Sequence, residues 1–151
     1  KYRAIRERIE LTSNIATLAN VMLPTDLMMT SQQVGELREA GMQIGAHTVS
    51  HPILASIDLA EARFEMSESK RFLENLLGER VSLFAYPNGK PGVDYLNEHV
   101  SLAQELGFDV ALSTAKGSAR SSADLYQLPR FTPWDKAKVR FGGRLLQHLV
   151  T

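Results

Sequence analysis

The chain has 151 residues, 44% of them hydrophobic, which is enough for one domain with a core of ordinary size. Its 17 basic residues balance 17 acidic ones without a run of Lys or Arg, so no nucleic acid partner is expected. It has no cysteine, which excludes disulfides and thiolate metal sites, and no apolar stretch approaches the roughly 20 residues of a membrane span.

The first part of the chain is predicted to hold two helices and a strand. Apolar residues recur at mostly helical spacing over residues 2–18. A second helix is capped by Thr30 or Ser31 and stops at Gly41. Residues 42–46 are then predicted to form a short buried strand.

The next helix has the clearest boundary signals. Asp58 is its predicted N-cap, and Gly78 lies just past its end. Its apolar side is predicted to carry Phe64, Phe72, Leu73, Leu76 and Leu77. Residues 81–85 follow as a second buried strand.

The remaining elements continue the alternation of helices and strands. The pattern predicts a helix over residues 95–106, strands over 108–113 and 125–131, and a last helix over 136–150. Parallel strands need crossover connections, which helices commonly supply. The chain is therefore predicted to be an α/β protein with a parallel sheet.

Two histidines follow the first predicted strand. His47 and His51 stand four residues apart, directly before Pro52, at the carboxyl end of a strand, where sites collect in α/β sheets. One helical turn between them would point both neutral imidazoles the same way, as zinc requires. The alternative is that one histidine caps a turn and the other is a surface residue.

A second feature follows the strand over residues 81–85. Tyr86, Pro87, Asn88 and Gly89 form a turn whose backbone amides can face a ligand. The alternative is an ordinary turn, because Pro, Asn and Gly each favour turns for their own backbone reasons.

The remaining candidates lie later in the chain. Arg130 follows Pro129 and Trp134 follows Pro133 in a proline-containing segment, where Trp134 can stack on a sugar face; the alternative is a loop that closes the core. His99 falls inside a predicted helix and His148 near the chain end, and both are interpreted as structural or surface residues.

These motifs together resemble a known family. Residues 40–52 closely resemble the second motif of the NodB-type polysaccharide deacetylases, carbohydrate esterase family 4, and residues 84–89 resemble its third motif in a variant form. The likeness covers roughly residues 27–133. It implies a partial or deformed (β/α) barrel in which His47 and His51 bind zinc or another divalent transition metal.

The chain also departs from the family pattern. Residues 1–26 contain no match to the first motif, whose paired aspartates supply the general base and a metal ligand. Ala85 and Asn88 stand where the third motif has Arg and an aromatic residue. We therefore expect residues 1–151 to form a single, truncated deacetylase domain, with an open sheet edge that favours association between copies.

The resemblance implies removal of N-acetyl groups from a polysaccharide or amino-sugar oligomer. The Asn88 amide is the expected oxyanion donor, Arg130 is expected to orient a carboxylate, and Tyr86, Pro87 and Trp134 are expected to contact substrate. In principle the carboxylates of three predicted loops can replace the absent pair: Asp94, Asp124 and Asp135.

Two other functions remain open at this point. One is a catalytically inactive glycan-binding or interaction domain of the same fold, and the other is a related amidohydrolase acting on a small carbon–nitrogen compound.

Overall fold

The computed structural model describes residues 3, 5–130 and 136–150, with only the backbone of Ile5 and of residues 148–150. In chain order the elements are α1 (Ile5–Leu18), α2 (Ser31–Glu39), a 3-10 helix (Leu54–Ser56), α3 (Leu59–Leu77), β1 (Leu83–Ala85), α4 (Asn97–Glu105), β2 (Val110–Leu112) and α5 (Lys138–Val150). None of the helices in these ranges is both long and apolar enough to cross a membrane.

The sheet is small and parallel. β1 pairs with β2, with Phe84 opposite Ala111. A single residue extends the pairing on each side, because Ala46 bridges to Phe84 and Leu128 bridges to Leu112, both in parallel. Four parallel backbone segments therefore lie side by side, which confirms the predicted α/β class with a parallel sheet.

Two of the predicted strands are wrong in extent. Residues 42–46 and the described part of 125–131 contribute only these bridges and no strand. Met42 is exposed, and Ala46 is the residue of this segment that forms a bridge to β1. Within the described ranges the sheet stays open and closes no barrel.

The predicted helix caps of α2 and α3 are confirmed. Thr30 and Gln33 form a reciprocal capping box at the start of α2. The Asp58 side chain accepts a hydrogen bond from the Glu61 amide at 2.7 Å, and Gly78 ends α3 in the left-handed conformation, with φ of +66°.

The buried face of α3 differs from the predicted one. Phe64 and Phe72 are exposed, whereas Leu73 and Leu77 pack against the core. The buried residues of the helix follow a stripe of three- and four-residue steps: Ala62, Glu65, Met66 and Ser69. This stripe holds mostly small or polar residues, so scoring hydrophobicity alone selects the wrong side.

Aromatic rings fill the core between α3, α4 and the sheet. The Phe84 ring lies 5.1 Å from that of Phe108 and 5.2 Å, edge to face, from that of Tyr86. Tyr86 in turn stacks on Tyr95 with centroids 3.8 Å apart. This cluster fixes the end of β1, from which the candidate site continues.

Several apolar residues of α1 are exposed to solvent in the described structure. Ile9, Ile15 and Leu18 of the predicted amphipathic helix are all more than half exposed. The association between copies that we expect from the sequence is compatible with such a surface. It stays a prediction.

His99 is a buried helix cap. Its Nδ1 accepts a hydrogen bond from the Leu96 amide at 3.0 Å, in agreement with the predicted structural role. Burial lowers the pKa of His99 below 6.5, against the opposing effects of Glu98 and nearby backbone groups. The unfolded chain therefore takes up this proton at higher pH than the folded one, so the free energy of unfolding should fall as pH drops below 6.5.

The His99→Gln variant should lose this part of the pH dependence. Glutamate and glutamine are the usual residues at this helix position, and glutamine can accept the same hydrogen bond but does not titrate. Urea denaturation at roughly pH 7 and pH 5 measures the change for both proteins. An unchanged difference between the two pH values in the variant would show that other groups cause it.

Candidate metal centre

The candidate residues collect at the edge of the sheet that the carboxyl ends of its segments form. The four parallel segments end together, so the residues that follow them meet at their carboxyl ends. His47 follows Ala46, the Tyr86 turn follows β1, Thr114 comes two residues after β2, and Arg130 comes two residues after Leu128. This is the edge at which the sequence places a site.

His47 and His51 lie next to each other at this edge. Their ring centroids are 4.8 Å apart, with the ring planes at 75°. The His47 Nδ1 lies 2.6 Å from the Ala85 carbonyl oxygen, to which Nδ1–H donates. In the neutral ring this bond leaves Nε2 as the unprotonated nitrogen, the form in which imidazole binds a metal. The predicted approach of the two rings is confirmed, while metal binding stays a prediction.

The surroundings of His47 favour its neutral form. The side chain is open to solvent on one side, but partial burial lowers its pKa below 6.5. The hydrogen bond to Ala85 opposes this effect, and the nearby charges of His51 and Arg130 add to it. A neutral imidazole keeps the nitrogen lone pair that a metal needs.

A buried carboxylate holds the loop between the two histidines. Glu65 of α3 accepts hydrogen bonds from the amides of Val49 and Ser50 at 2.7 and 2.8 Å, and from the Ser50 hydroxyl. Thr48 and His51 have positive φ values of 66° and 57°, which side chains rarely adopt without support. The sequence analysis missed Glu65, because nothing in the sequence separates it from the other charged residues of α3.

A second contact reaches this loop from α1. Arg8 donates a hydrogen bond from Nη2 to the Ser50 carbonyl oxygen at 3.4 Å. An open cleft of about 600 Å³ lies beside it, lined by Arg8, Ile9, Leu11, Thr12, Ile15 and Ser50. The cleft gives the histidine loop a mostly apolar neighbouring surface.

The turn after β1 is tied to the end of β2. Asn88 and Gly89 both have positive φ, 56° and 76°. A Cβ at Gly89 would lie 3.0 Å from the Tyr86 carbonyl oxygen, so this position requires glycine. Thr114 donates from its hydroxyl to the backbone carbonyl oxygen of Asn88 at 2.8 Å and from its amide to that of Gly89 at 2.7 Å. The role of the Asn88 amide as oxyanion donor stays a prediction.

Tyr86 and Pro87 lie inside the core. Both are fully buried, and the Tyr86 hydroxyl donates to the Tyr126 carbonyl oxygen at 3.0 Å. Burial raises the pKa of that hydroxyl, which stays protonated. In this arrangement they support the turn from the core side, and their contact with substrate stays a prediction. Trp134 lies outside the described residues.

Arg130 lies close enough to the histidines for its charge to lower the pKa of His47. Its side chain is exposed, and its backbone amide donates to the Ala115 oxygen at 3.3 Å. Among the described residues no carboxylate contacts Arg130, so its role in orienting one stays a prediction.

The described residues supply only part of a metal site. They contain no group of three or more His, Cys, Asp or Glu residues placed to hold a metal ion. Asp94 is buried and accepts from the Lys90 amide, and Asp124 accepts from Tyr126 and Gln127. Asp135 lies outside the described residues. The described residues thus offer two imidazole ligands, and a metal bound between them would need a further ligand.

This α/β chain with two histidines at the sheet edge belongs to the polysaccharide deacetylase family, whose sequence pattern matches residues 11–111. The chain is 26% identical over 102 residues to YxkH of Bacillus subtilis, whose name places it among the polysaccharide deacetylases. The match covers 68% of this chain and 35% of YxkH, so the chain spans about a third of that relative.

Two solved deacetylase structures resemble this chain in fold. The deacetylase PplD of Streptococcus pyogenes superimposes with a TM-score of 0.72 at 27% identity, covering 82% of this chain and 52% of PplD. A polysaccharide deacetylase from Bacillus cereus superimposes with a TM-score of 0.68 at 19% identity, covering 81% of this chain and 38% of that protein. The second likeness shows the fold alone.

Proposed function

We propose that this chain supplies the two-histidine part of the metal centre of an enzyme that removes N-acetyl groups from a polysaccharide or amino-sugar oligomer. The observation that carries the proposal is the pairing of His47 and His51 at the sheet edge, with the His47 Nδ1 engaged by Ala85. Membership of the polysaccharide deacetylase family supports the reaction class. PplD is described in complex with acetate, which is the product expected from such a reaction.

We propose zinc, or another divalent transition metal, as the cofactor. Nε2 of His47 and one ring nitrogen of His51 would hold it. When bound, such an ion polarises the acetyl carbonyl and activates water. Catalytic zinc generally has three protein ligands and an open position, so a carboxylate has to complete the set.

The other residues at the edge would position the reacting groups. The turn at Asn88, held by Thr114, would present its amide to the developing oxyanion. Arg130 would orient the carboxylate that takes a proton from the attacking water. Trp134 would stack on a sugar face, and Tyr86 and Pro87 would support the turn at Asn88. We further propose that the open sheet is part of a deformed (β/α) barrel.

The two other functions have weaker support. A glycan-binding domain without catalysis and an amidohydrolase for small carbon–nitrogen compounds both fit the fold, because fold does not determine substrate. No contact in the described residues favours either one over deacetylation. A glycan-binding domain would release no acetate, and an amidohydrolase would act on small compounds instead of the glycan.

Release of acetate from partly acetylated chitooligosaccharides in the presence of zinc tests the proposal. A protein that carries an Asp-Asp segment upstream of this chain should release acetate, and a chelator or His51→Ala should remove that activity. The 151-residue chain alone should release little acetate. Water attack needs a proton acceptor, and no carboxylate of this chain stands in a motif that matches the family's general base.

Two results would contradict this account. One is a longer protein whose acetate release is unaffected by chelator and by His51→Ala. The other is robust release by the short chain that chelator and substitution of Asp94, Asp124 or Asp135 abolish, since one of those carboxylates would then be the base. Binding of the oligomers without any release, in the longer protein, would instead support the inactive glycan-binding domain.

A further inference from the structure

We infer that Glu65 is the positioning residue that holds the loop of residues 47–51 in its metal-binding shape before any metal arrives. That Glu65 holds the loop is argued from its hydrogen bonds. That this shape serves metal binding rests on the proposed function. Glu65 itself would touch neither metal nor substrate.

The first step of the argument is where Glu65 lies. It is only 6% exposed, in the middle of the buried stripe of α3, and its neighbours on that stripe are Ala62, Met66 and Ser69. A carboxylate is costly to bury unless hydrogen bonds replace its lost hydration. Both of its oxygens are used on one short loop, which provides that replacement.

The second step is the shape of the loop. Thr48 and His51 both have positive φ, so the backbone between the two histidines is strained. One Glu65 oxygen accepts from the consecutive amides of Val49 and Ser50, and the other accepts from the Ser50 hydroxyl. Together these bonds fix the residues between Thr48 and His51 and offset the strain at either end.

The third step is the effect on the imidazoles. The His47 ring is anchored by Ala85, whereas the His51 ring contacts the His47 ring and makes no hydrogen bond with the described residues. The position of His51 relative to His47 therefore depends on the loop backbone that Glu65 holds. Loss of a group that orients a metal ligand directly typically costs about 10- to 100-fold in metal affinity, and we expect an effect of this order when the loop that carries His51 loses its support.

Hydrogen exchange of backbone amides in the full chain, followed by NMR, tests the cause without metal. In Glu65→Ala, exchange at Val49 and Ser50 should accelerate by on the order of tenfold or more, while the β1 amides keep their protection. Glu65→Gln should largely restore slow exchange, because its amide can accept from both N–H groups and donate to the Ser50 hydroxyl. Ser69→Ala removes a buried polar group one turn away and is the matched control, with no expected change at the loop.

A zinc titration of the same proteins, read from the imidazole signals of His47 and His51, tests the consequence. Affinity should fall about 10- to 100-fold in Glu65→Ala and recover in Glu65→Gln. The inference is overturned by unchanged exchange at Val49 and Ser50 in Glu65→Ala, or by exchange that rises equally throughout the chain. If loop exchange responds as expected but the unsubstituted chain shows no zinc shift at either histidine, the proposed function fails and the role of Glu65 in the loop stands.

Discussion

In the His47→Ala variant, zinc binding at the sheet edge should fall well beyond the roughly 10- to 100-fold loss that removal of an outer-shell partner causes. The reason is that one of the two imidazoles that the described residues bring to this edge is removed, together with its anchor on Ala85. The effect should be equal in His51→Ala. Zinc titration followed by the imidazole NMR signals measures even weak binding.

The matched control for this experiment is His99→Gln. It removes an imidazole of the same chain but keeps the hydrogen bond at the start of α4, so zinc binding should stay unchanged. Equal losses in the control and in His47→Ala would mean that zinc binds histidines non-specifically. Unchanged binding in both His47→Ala and His51→Ala would place the metal elsewhere.

Phe84→Ala should destabilise the chain by about 3–5 kcal/mol. Phe84 is 1% exposed at the centre of β1, between the rings of Phe108 and Tyr86, so truncation leaves a cavity beneath the candidate site. Urea denaturation gives the change in the free energy of unfolding.

The control for the core prediction is the same substitution on the surface. Phe64 is 60% exposed on α3, so Phe64→Ala should change stability by no more than about 0.5 kcal/mol. Similar losses in the two variants would contradict the core as described, and would bring back the sequence-based view that Phe64 faces inward.

The parts that the sequence predicted correctly depend on local chemistry. The cap at Asp58 and the stop at Gly78 follow from backbone preferences within a few residues. The pairing of His47 with His51 needed only a short loop after a sheet segment. Such features require no knowledge of the rest of the chain, which is why a single sequence is sufficient for them.

The parts that the sequence missed depend on contacts between distant segments. Residues 42–46 have the composition of a buried strand, but how many of them pair is decided by their approach to Leu83. Glu65 resembles any charged residue of a solvated helix until α3 is placed against the histidine loop. The exposed rings of Phe64 and Phe72 show the same limit, because hydrophobicity does not identify the face that a neighbour covers.

The most direct test of the central claim is the position of zinc in crystals of the chain, located by anomalous scattering at the zinc absorption edge. The account predicts a peak at about 2.0–2.1 Å from both Nε2 of His47 and a ring nitrogen of His51. A peak elsewhere, or no peak between these two rings at saturating zinc, would contradict it.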